Sequence, residues 1–176
     1  NCNPDGFNIN ENSAVLNQKL FAEYAENYEF DYCVAVDGDG DRIVLSDDKG
    51  TIFTGDDILY TLASRNKMIG KDQSDKVIGT TMSNQGVVEA LKVLGIGFLR
   101  ADVGDKYISR ELVKNDLNLG AEPSGHVIQR EFSESGDANI ALIQTLAALN
   151  ELDTNIADIK NNIDYKPYSL KNFSVS

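Results

Sequence analysis

Three aspartates, Asp37, Asp39 and Asp41, alternate with two glycines between two apolar runs in the segment VAVDGDGDRIVL. The glycines allow the backbone to curl, so that the three carboxylates can converge. Converged carboxylates repel one another strongly in a partly dry site. A hard divalent cation removes that repulsion, and Mg²⁺ is typically bound through a few carboxylates and a substrate oxygen. The spacing therefore predicts a Mg²⁺ site, beside which Arg42 either holds a substrate phosphate or pairs with an aspartate.

Two other interpretations of this acidic segment are weaker. A calcium loop of the EF-hand type also begins with alternating aspartates, but it requires glycine at its sixth position and glutamate at its twelfth. Those positions hold Arg42 and Asp48 here, and a predicted strand precedes the segment where the calcium motif has a helix. A solvated turn with incidental acids is disfavoured because both flanking runs are strongly apolar.

The composition limits the possible partners. The formal net charge of −12 would repel a nucleic-acid backbone, so we expect no nucleic-acid binding. No apolar run approaches the roughly 18 residues of a membrane span, and we expect no membrane partner. The first residues show no secretory signal. Cys2 and Cys33 fit no metal spacing and no redox pair, which suits a cytoplasmic protein.

Alternating strand and helix patterns must position the acidic segment. The strand patterns cover residues 31–36, a hairpin over 42–53 with a turn at Lys49-Gly50, and 74–83, 96–102, 117–122 and 126–132. Helical spacing covers residues 13–28, 54–67, 84–95, 105–115 and 136–152, with Ser13 as a candidate cap of the first helix. The order predicts α/β architecture with mixed, partly parallel sheets flanked by helices. We interpret segment 31–36 as a buried strand that contains Cys33.

The chain divides into three parts in this interpretation. Residues 1–54 hold too few elements for an independent domain and are interpreted as the end of one. Residues 55–165 form a unit of their own, and residues 166–176 are a linker. After Asp153 the chain turns polar and lacks strong periodicity. Because the sequence does not begin with Met, we expect it to be a piece of a longer protein.

Three motifs in order resemble the α-D-phosphohexomutase superfamily. The segment DGDGDR is similar to the metal loop of that family, VGDKYI at 103–108 to its phosphate-contacting stretch, and GAEPSGHVI at 120–128 to its sugar-binding loop. The segments PDGFNINENSA and TTMSNQGVVEALKVLGIGFLRADVGDKYI most resemble the phosphoglucosamine mutase branch. The resemblance implies that residues 1–54 end the second domain of the α/β/α type, that 55–165 form the third, and that 166–176 lead to a fourth.

The resemblance also implies roles for single residues. Asp37, Asp39 and Asp41 would bind Mg²⁺ together with an oxygen of a phosphate carried on a serine, and Arg42 would lie beside that phosphate. Lys106 falls where the family has a basic residue near the transferring phosphoryl group. Its alternative is an ordinary exposed lysine.

The sugar-binding loop would be formed by Glu122, Ser124, Gly125 and His126. A carboxylate accepts hydrogen bonds from sugar hydroxyls, and a serine hydroxyl can donate or accept. Pro123 and Gly125 would hold a tight turn. His126 would contact the ligand or relay a proton. Asp137, which precedes the last helix, is interpreted as a helix N-terminal charge.

The activity that the resemblance implies is isomerisation of a hexose phosphate. A phosphoserine-mediated transfer would interconvert glucosamine 6-phosphate and glucosamine 1-phosphate. The nucleophile motif of the family, similar to TASHNP, does not occur in this sequence, and neither does its SGTEP-like phosphate clamp. We therefore expect this chain alone to be inactive. Pro123 favours phosphomannomutase or phosphoglucomutase as an alternative, and a non-catalytic module that binds a metal or a sugar phosphate also stays open.

Overall fold

A computed structural model describes residues 3–70 and 75–169. The elements within these ranges are, in chain order, α1 (Lys19–Asn27), β1 (Tyr32–Val36), β2 (Ile43–Asp47), β3 (Ile52–Phe53), α2 (Gly55–Met68), β4 (Lys76–Thr80), α3 (Gln85–Val93), β5 (Gly97–Ala101), α4 (Asp105–Asn115), β6 (Leu119–Ala121), β7 (Val127–Gln129), α5 (Ala138–Glu151) and α6 (Ile156–Asn161). This alternation confirms the predicted α/β class. None of these helices has the length and apolar character to cross a membrane.

The strands form two sheets. In the larger sheet the order is β5-β4-β6-β7, with β5 and β6 parallel to β4 and β7 antiparallel to β6. The smaller sheet is antiparallel in the order β1-β2-β3. Gly50 has a φ of 76° in the turn between β2 and β3, which confirms the predicted hairpin. Mixed, partly parallel pairing is therefore present, as predicted.

Neighbouring residues of the larger sheet point to opposite faces and enter separate cores. Val77 and Val127 pack into the cluster formed with α2, α3 and α5. Ile78 and Ile128 pack on the other face, against Ile108 and Leu112 of α4. This follows from the two-residue period of a strand.

The two sheets share one core. Strand β2 is buried along its whole length. Its Ile43 and Leu45, with Phe53 of β3, belong to the same cluster as the side chains of α2, α3, α5 and α6. The smaller sheet is therefore fixed to the larger one by apolar contacts.

The helix termini follow the sequence signals. The carboxylate of Asp57 accepts hydrogen bonds from the amide and hydroxyl of Thr54 at the start of α2, at 2.6 and 2.8 Å. The side chain of Asp137 accepts from the amides of Asn139 and Ile140 at the start of α5, which confirms its predicted place. Gly95 ends α3 with a φ of 73°.

The prediction that segment 31–36 is buried is wrong. Tyr32, Val34 and Val36 are 36%, 37% and 46% exposed, and they alternate with half-buried Cys33 and Ala35. Within the described residues β1 pairs with β2 alone, so it lies at the edge of its sheet. Burial nevertheless raises the pKa of the Cys33 thiol. An apolar pattern shows that a strand has apolar faces, but it does not show which of them is covered.

Helix α1 is shorter than predicted, and helix α6 was not predicted. Helix α1 begins at Lys19, after turns that start at Ser13, and Ser13 does not cap it. Helix α6 follows Asp153, where no helix was predicted. It buries Ile156 and Ile159 and is capped by Asn155. Six residues are too few to show a period in a polar stretch. In the predicted linker, residues 166–169 form no helix or strand, and 170–176 lie outside the described residues.

Candidate functional site

The acidic segment is the loop that connects the antiparallel strands β1 and β2. Val36 pairs with Ile43, and the amide of Asp37 then donates to the carbonyl of Arg42 at 3.3 Å. Gly40 has a φ of 74°, a conformation that glycine adopts without steric cost. We call residues 37–42 the acidic loop. Its tight closure brings the three predicted metal ligands together.

The buried carboxylate of Asp37 accepts hydrogen bonds from other residues of the acidic loop. Its Oδ1 accepts the amides of Asp41 and Arg42 at 3.2 and 3.1 Å, and its Oδ2 accepts Nε of Arg42 at 2.5 Å. Burial acts to raise the pKa of Asp37, but the hydrogen bonds and charge of Arg42 outweigh it and lower that pKa. The same pairing raises the pKa of Arg42. Arg42 thus pairs with an aspartate, one of its two predicted roles.

The three carboxylates converge as predicted. Asp37, Asp39 and Asp41 each offer an oxygen within 4.8 Å of the others. Burial raises the pKa of Asp41, His126 opposes this, and the charges of Asp37 and Asp39 raise it further. Oδ1 of Asp41 is buried and has no hydrogen-bond partner among the described residues. Converged acids with an unpartnered oxygen fit a hard divalent cation, which would remove their repulsion.

Residues 122–126 form a turn that leaves β6 and enters β7, and we call it the glutamate turn. The amide of Glu122 donates to the carbonyl of His126 at 2.9 Å, and the amide of Gly125 donates to the carbonyl of Glu122 at 3.0 Å. Gly125 has a φ of 99°, and a Cβ there would lie 2.0 Å from the carbonyl oxygen of Ile43. The predicted tight turn is present, and Gly125 is buried in it.

Glu122 and Ser124 are the accessible groups of the glutamate turn. Glu122 is half-buried, and its Oε1 accepts the amide of Gly104, just before α4, at 2.7 Å. Ser124 is exposed, with its Oγ 3.4 Å from Oε2 of Glu122. The loops that follow β5 and β6 therefore meet through Glu122, at the edge where ligand sites of parallel sheets form.

Lys106 lies in the first turn of α4, two residues after Gly104. It is exposed, and its Nζ lies 4.8 Å from the centre of the Tyr107 ring. The N-terminal end of a helix is partially positive. The start of α4, whose Gly104 amide donates to Glu122, is therefore the positive end of that helix, and Lys106 lies on its first turn.

Backbone hydrogen bonds join the acidic loop to the glutamate turn and to α5. The amide of Ile43 donates to the carbonyl of Gly125 at 3.1 Å, and Arg42 and His126 form an antiparallel bridge. The amide of Ala138 donates to the carbonyl of Gly40 at 2.9 Å. The predicted metal ligands and the predicted sugar-contacting groups therefore lie on adjoining loops.

A third wall of the site was missed in the sequence. The segment before α1 lines a cavity of about 510 Å³ beside Asp37 and Gly38, with the polar side chains Asn8, Asn10, Asn12 and Ser13. Asn10 and Asn12 have φ values of 60° and 54°, which are uncommon outside glycine. The alternating asparagines of NINENS were the signal that could have indicated this wall.

Comparisons with known proteins show which family this chain belongs to. Residues 54–165 match the family described as phosphoglucomutase/phosphomannomutase, alpha/beta/alpha domain III. The chain is 41% identical over 176 residues to phosphoglucosamine mutase of Psychrobacter cryohalolentis, and 41% identical over 174 residues to that of Marinomonas sp.. These matches take in 100% and 99% of this chain, but the chain spans only 38% and 39% of the length of those relatives.

Solved structures share the fold. A phosphoglucomutase/phosphomannomutase family protein of Burkholderia thailandensis superposes with a TM-score of 0.68 and 18% identity, over 89% of this chain and 33% of its own. N-acetylphosphoglucosamine mutase of Aspergillus fumigatus, in complex with GlcNAc-6P and magnesium, superposes with a TM-score of 0.63 and 17% identity. That superposition covers 80% of this chain and 34% of the fungal chain.

Proposed function

Since this chain belongs to the phosphoglucomutase/phosphomannomutase family, we propose that it is part of a Mg²⁺-dependent phosphoglucosamine mutase. The intact protein would interconvert glucosamine 6-phosphate and glucosamine 1-phosphate, as an isomerase of the cytoplasm. The proposal is supported by relatives of that name that are 41% identical over nearly the whole of this chain. The two cysteines of the sequence fit no metal spacing and no redox pair, which suits that compartment.

The observation that carries the proposal is the junction between the acidic loop and the glutamate turn. The hydrogen bond from Ile43 to Gly125 and the bridge between Arg42 and His126 hold a cluster of acids against a turn with accessible hydroxyl-binding groups. Transfer of a phosphoryl group to a sugar oxygen requires a metal site and a sugar site side by side, because the leaving oxygen, the phosphorus and the attacking sugar oxygen must lie in line.

The acidic loop would bind the metal ion and the phosphate in such a transfer. Asp37, Asp39 and Asp41 would hold Mg²⁺, as supported by the fit of their converged oxygens and by the magnesium of the fungal relative. When bound, the ion neutralises charge on the phosphoryl oxygens. Arg42, fixed on Asp37 through Nε, keeps its other guanidinium nitrogens available for the phosphate.

The sugar would be held by the glutamate turn. Glu122 and Ser124 would exchange hydrogen bonds with its hydroxyls, and Lys106 would contribute charge near the transferring group. In a mutase the sugar turns over between two half-reactions, so the same turn must hold it in both orientations. A serine outside this chain would carry the phosphoryl group, because no segment of the sequence resembles the family's nucleophile motif.

A second candidate function rests on Pro123. Proline at this position is more usual in the phosphomannomutase and phosphoglucomutase branches of the superfamily, which differ from phosphoglucosamine mutase in the hexose phosphate that they convert. A third hypothesis is a non-catalytic module that binds a metal or a sugar phosphate.

The test is a coupled assay of the full reading frame that encodes this chain. Purified protein would be given Mg²⁺, a hexose bisphosphate activator and, in separate reactions, the 6-phosphates of glucosamine, mannose and glucose. We expect the highest kcat/KM with glucosamine 6-phosphate, and a loss of turnover in Asp39→Asn but not in the exposed control Glu26→Gln. Preference for the mannose or glucose compound would favour the second candidate, and no turnover of any of the three would favour the binding module.

A further inference from the structure

The segment before α1 presents carboxamides to the cavity beside the acidic loop. We call residues 8–13 of this segment the asparagine wall. Asn10 and Asn12 hold left-handed φ values of 60° and 54°, and their side chains form no hydrogen bond with another residue in ranges 3–70 and 75–169. Residues other than glycine that hold such a conformation cluster at ligand-binding sites. Both carboxamides are therefore available to a binding partner.

The asparagine wall contacts the start of the acidic loop. The cavity of about 510 Å³ is bounded by the wall and by Asp37 and Gly38, and a Cβ at Gly38 would lie 2.3 Å from the side chain of Ile9. The glutamate turn joins the end of the same loop, through the Ile43 amide and the Gly125 carbonyl. Two groups bound at these two places would therefore both reach the proposed ion.

The lining of the cavity indicates the chemical class of its occupant. The described residues that line it include two acids, Glu11 and Asp37, and no lysine or arginine, so a free phosphate ester is disfavoured. Carboxamides donate through Nδ2 and accept through Oδ1, which complements the uncharged N–H and C=O groups of a peptide backbone. Phe7 and Ile9 are 92% and 69% exposed, and neighbouring exposed apolar side chains favour contact with another polypeptide.

We propose that the asparagine wall is the docking site of the segment that carries the phosphorylated serine in the full-length protein. The inference rests on the proposed function, in which that serine lies outside this chain, and the chain spans 38% of the length of the Psychrobacter relative. Asn10 and Asn12 are positioning residues, because they bond to the backbone of the docked segment and touch neither the phosphate nor the sugar. The segment then holds its phosphate at the ion while the sugar lies at the glutamate turn.

The first experiment follows hydrogen exchange in the full-length protein after its phosphorylation by a hexose bisphosphate, with mass spectrometry to locate the modified serine. The double variant Asn10→Gly/Asn12→Gly removes both carboxamides, and glycine adopts the left-handed backbone without steric cost. We expect the amides around the serine to exchange roughly ten-fold faster or more in this variant, because two hydrogen bonds are lost. Asp153→Gly makes the same kind of change at an exposed residue with a φ of 50°, after the end of α5, and should leave this exchange unchanged.

The second experiment distinguishes the serine segment from the sugar as the occupant of the cavity. The double variant should lower kcat roughly ten-fold or more and leave KM for glucosamine 6-phosphate within about three-fold, because the glutamate turn is intact. A raised KM with an unchanged kcat would show that the wall contacts the sugar, and would overturn the proposal.

The controls separate this inference from the proposed function. Thermal midpoints show whether the glycine variant folds. If it does not, Asn10→Asp/Asn12→Asp keeps the test open, because it keeps the side-chain shape and replaces each Nδ2 donor with a carboxylate oxygen. Unchanged exchange around the serine, or unchanged kcat and KM, would overturn the docking role alone when the unsubstituted protein is active. The absence of any phosphorylated serine from the unsubstituted full-length protein would overturn the proposed function and the docking site with it.

Discussion

Asp37 and Asp39 lie two residues apart in the acidic loop but in different surroundings. Asp37 is 5% exposed and accepts hydrogen bonds from two backbone amides and from Arg42. Asp39 is exposed. The carboxylate of Asp37 therefore stabilises the loop and would also bind the proposed ion, whereas that of Asp39 would bind the ion alone.

This difference predicts different outcomes for the same substitution. Asp37→Asn should lower the free energy of unfolding by roughly 1.5–3 kcal/mol, because it weakens buried hydrogen bonds to a charged group. Asp39→Asn should change it by less than about 0.5 kcal/mol. Both should weaken Mn²⁺ binding roughly ten-fold or more. Urea unfolding and calorimetry would measure these effects, and tight binding selective for Ca²⁺ would contradict the magnesium interpretation.

Glu122 is predicted to act on turnover far more than on stability. In the full-length protein Glu122→Ala should impair conversion of the hexose phosphate, because contacts with its hydroxyls are lost. The lost bond to the Gly104 amide should cost only about 1 kcal/mol. Steady-state kinetics and a thermal midpoint would separate the two effects. Normal kinetics with a large fall in the midpoint would show that Glu122 is structural.

At the scale of elements, the start of α2 concentrates buried charge. Asp57 is fully buried and accepts from Thr54, from Nζ of Lys160 at 3.2 Å and from the hydroxyl of Tyr165. These bonds fasten α6 and the segment after it to α2. Asp56, the neighbouring residue, accepts the amide of Asn84 at 2.7 Å and so links α2 to the start of α3.

The bonds of Asp57 predict a large effect of its removal. Asp57→Ala removes the charged acceptor of Thr54, Lys160 and Tyr165 and should lower stability by roughly 3 kcal/mol, because a hydrogen bond to a charged group contributes about 1.5–3 kcal/mol. The exposed control Asp31→Ala should change stability little. Amide hydrogen exchange would locate the effect, since α6 should lose protection before α2 or α5. Equal loss of protection in all three helices would contradict the fastening role.

Asp56 predicts a pH dependence of stability. Burial raises its pKa to about 6, against the opposing hydrogen bond from the Asn84 amide. The folded state therefore holds this proton at pH values where the unfolded chain has released it. The bound proton of Asp56 therefore stabilises the folded state by roughly 3 kcal/mol below about pH 4. This stabilisation is lost as the pH rises through about 6.

Asp56→Asn should remove this dependence while keeping an acceptor for the Asn84 amide. The stability of the variant relative to the unsubstituted chain should rise between pH 4 and pH 7. Urea unfolding at intervals of half a pH unit would measure it, with Asp31→Asn as the control. A difference that stays constant across this range would show that Asp56 titrates normally.

The elements that could be predicted from sequence are those whose signals are local. Thr54 and Asp57 mark the start of α2, and Gly95 marks the end of α3, because a cap or a left-handed residue acts within one turn. The exposure of β1 depends on what packs against it from elsewhere. The short helix α6 is stabilised by its buried isoleucines, Ile156 and Ile159, and not by a sequence period.

At the scale of the whole molecule, the site is assembled by contacts between distant parts of the chain. The acids of the acidic loop and the residues of the glutamate turn could be proposed from sequence, since each set lies in a short motif. Their connection through the Ile43 amide and the Gly125 carbonyl, and the burial of His126 between Asp41 and Gly136, could not, because they depend on how the two sheets pack.

The chain alone is predicted to have no mutase activity. It supplies proposed metal ligands and a sugar-contacting turn, but it holds no segment like the family's nucleophile motif. Ser83 is buried after β4 and Ser124 belongs to the glutamate turn, so neither is suited to carry the phosphoryl group. A coupled assay with glucosamine 6-phosphate, Mg²⁺ and a hexose bisphosphate would test this. Turnover abolished by Ser83→Ala or Ser124→Ala would show that the chain contains its own nucleophile.

The close packing of three glycines around the site has a genetic consequence. A Cβ would lie 1.9 Å from the Glu122 carbonyl oxygen at Gly55, 2.0 Å from that of Ile43 at Gly125, and 2.5 Å from Nε2 of His126 at Gly136. Every missense change of a glycine codon adds a Cβ. A saturation screen for function should therefore find these positions as intolerant as the aspartates. Protein abundance would tell them apart: Gly55 and Gly125 variants should disappear from the cell, whereas inactive Asp39 variants should accumulate normally.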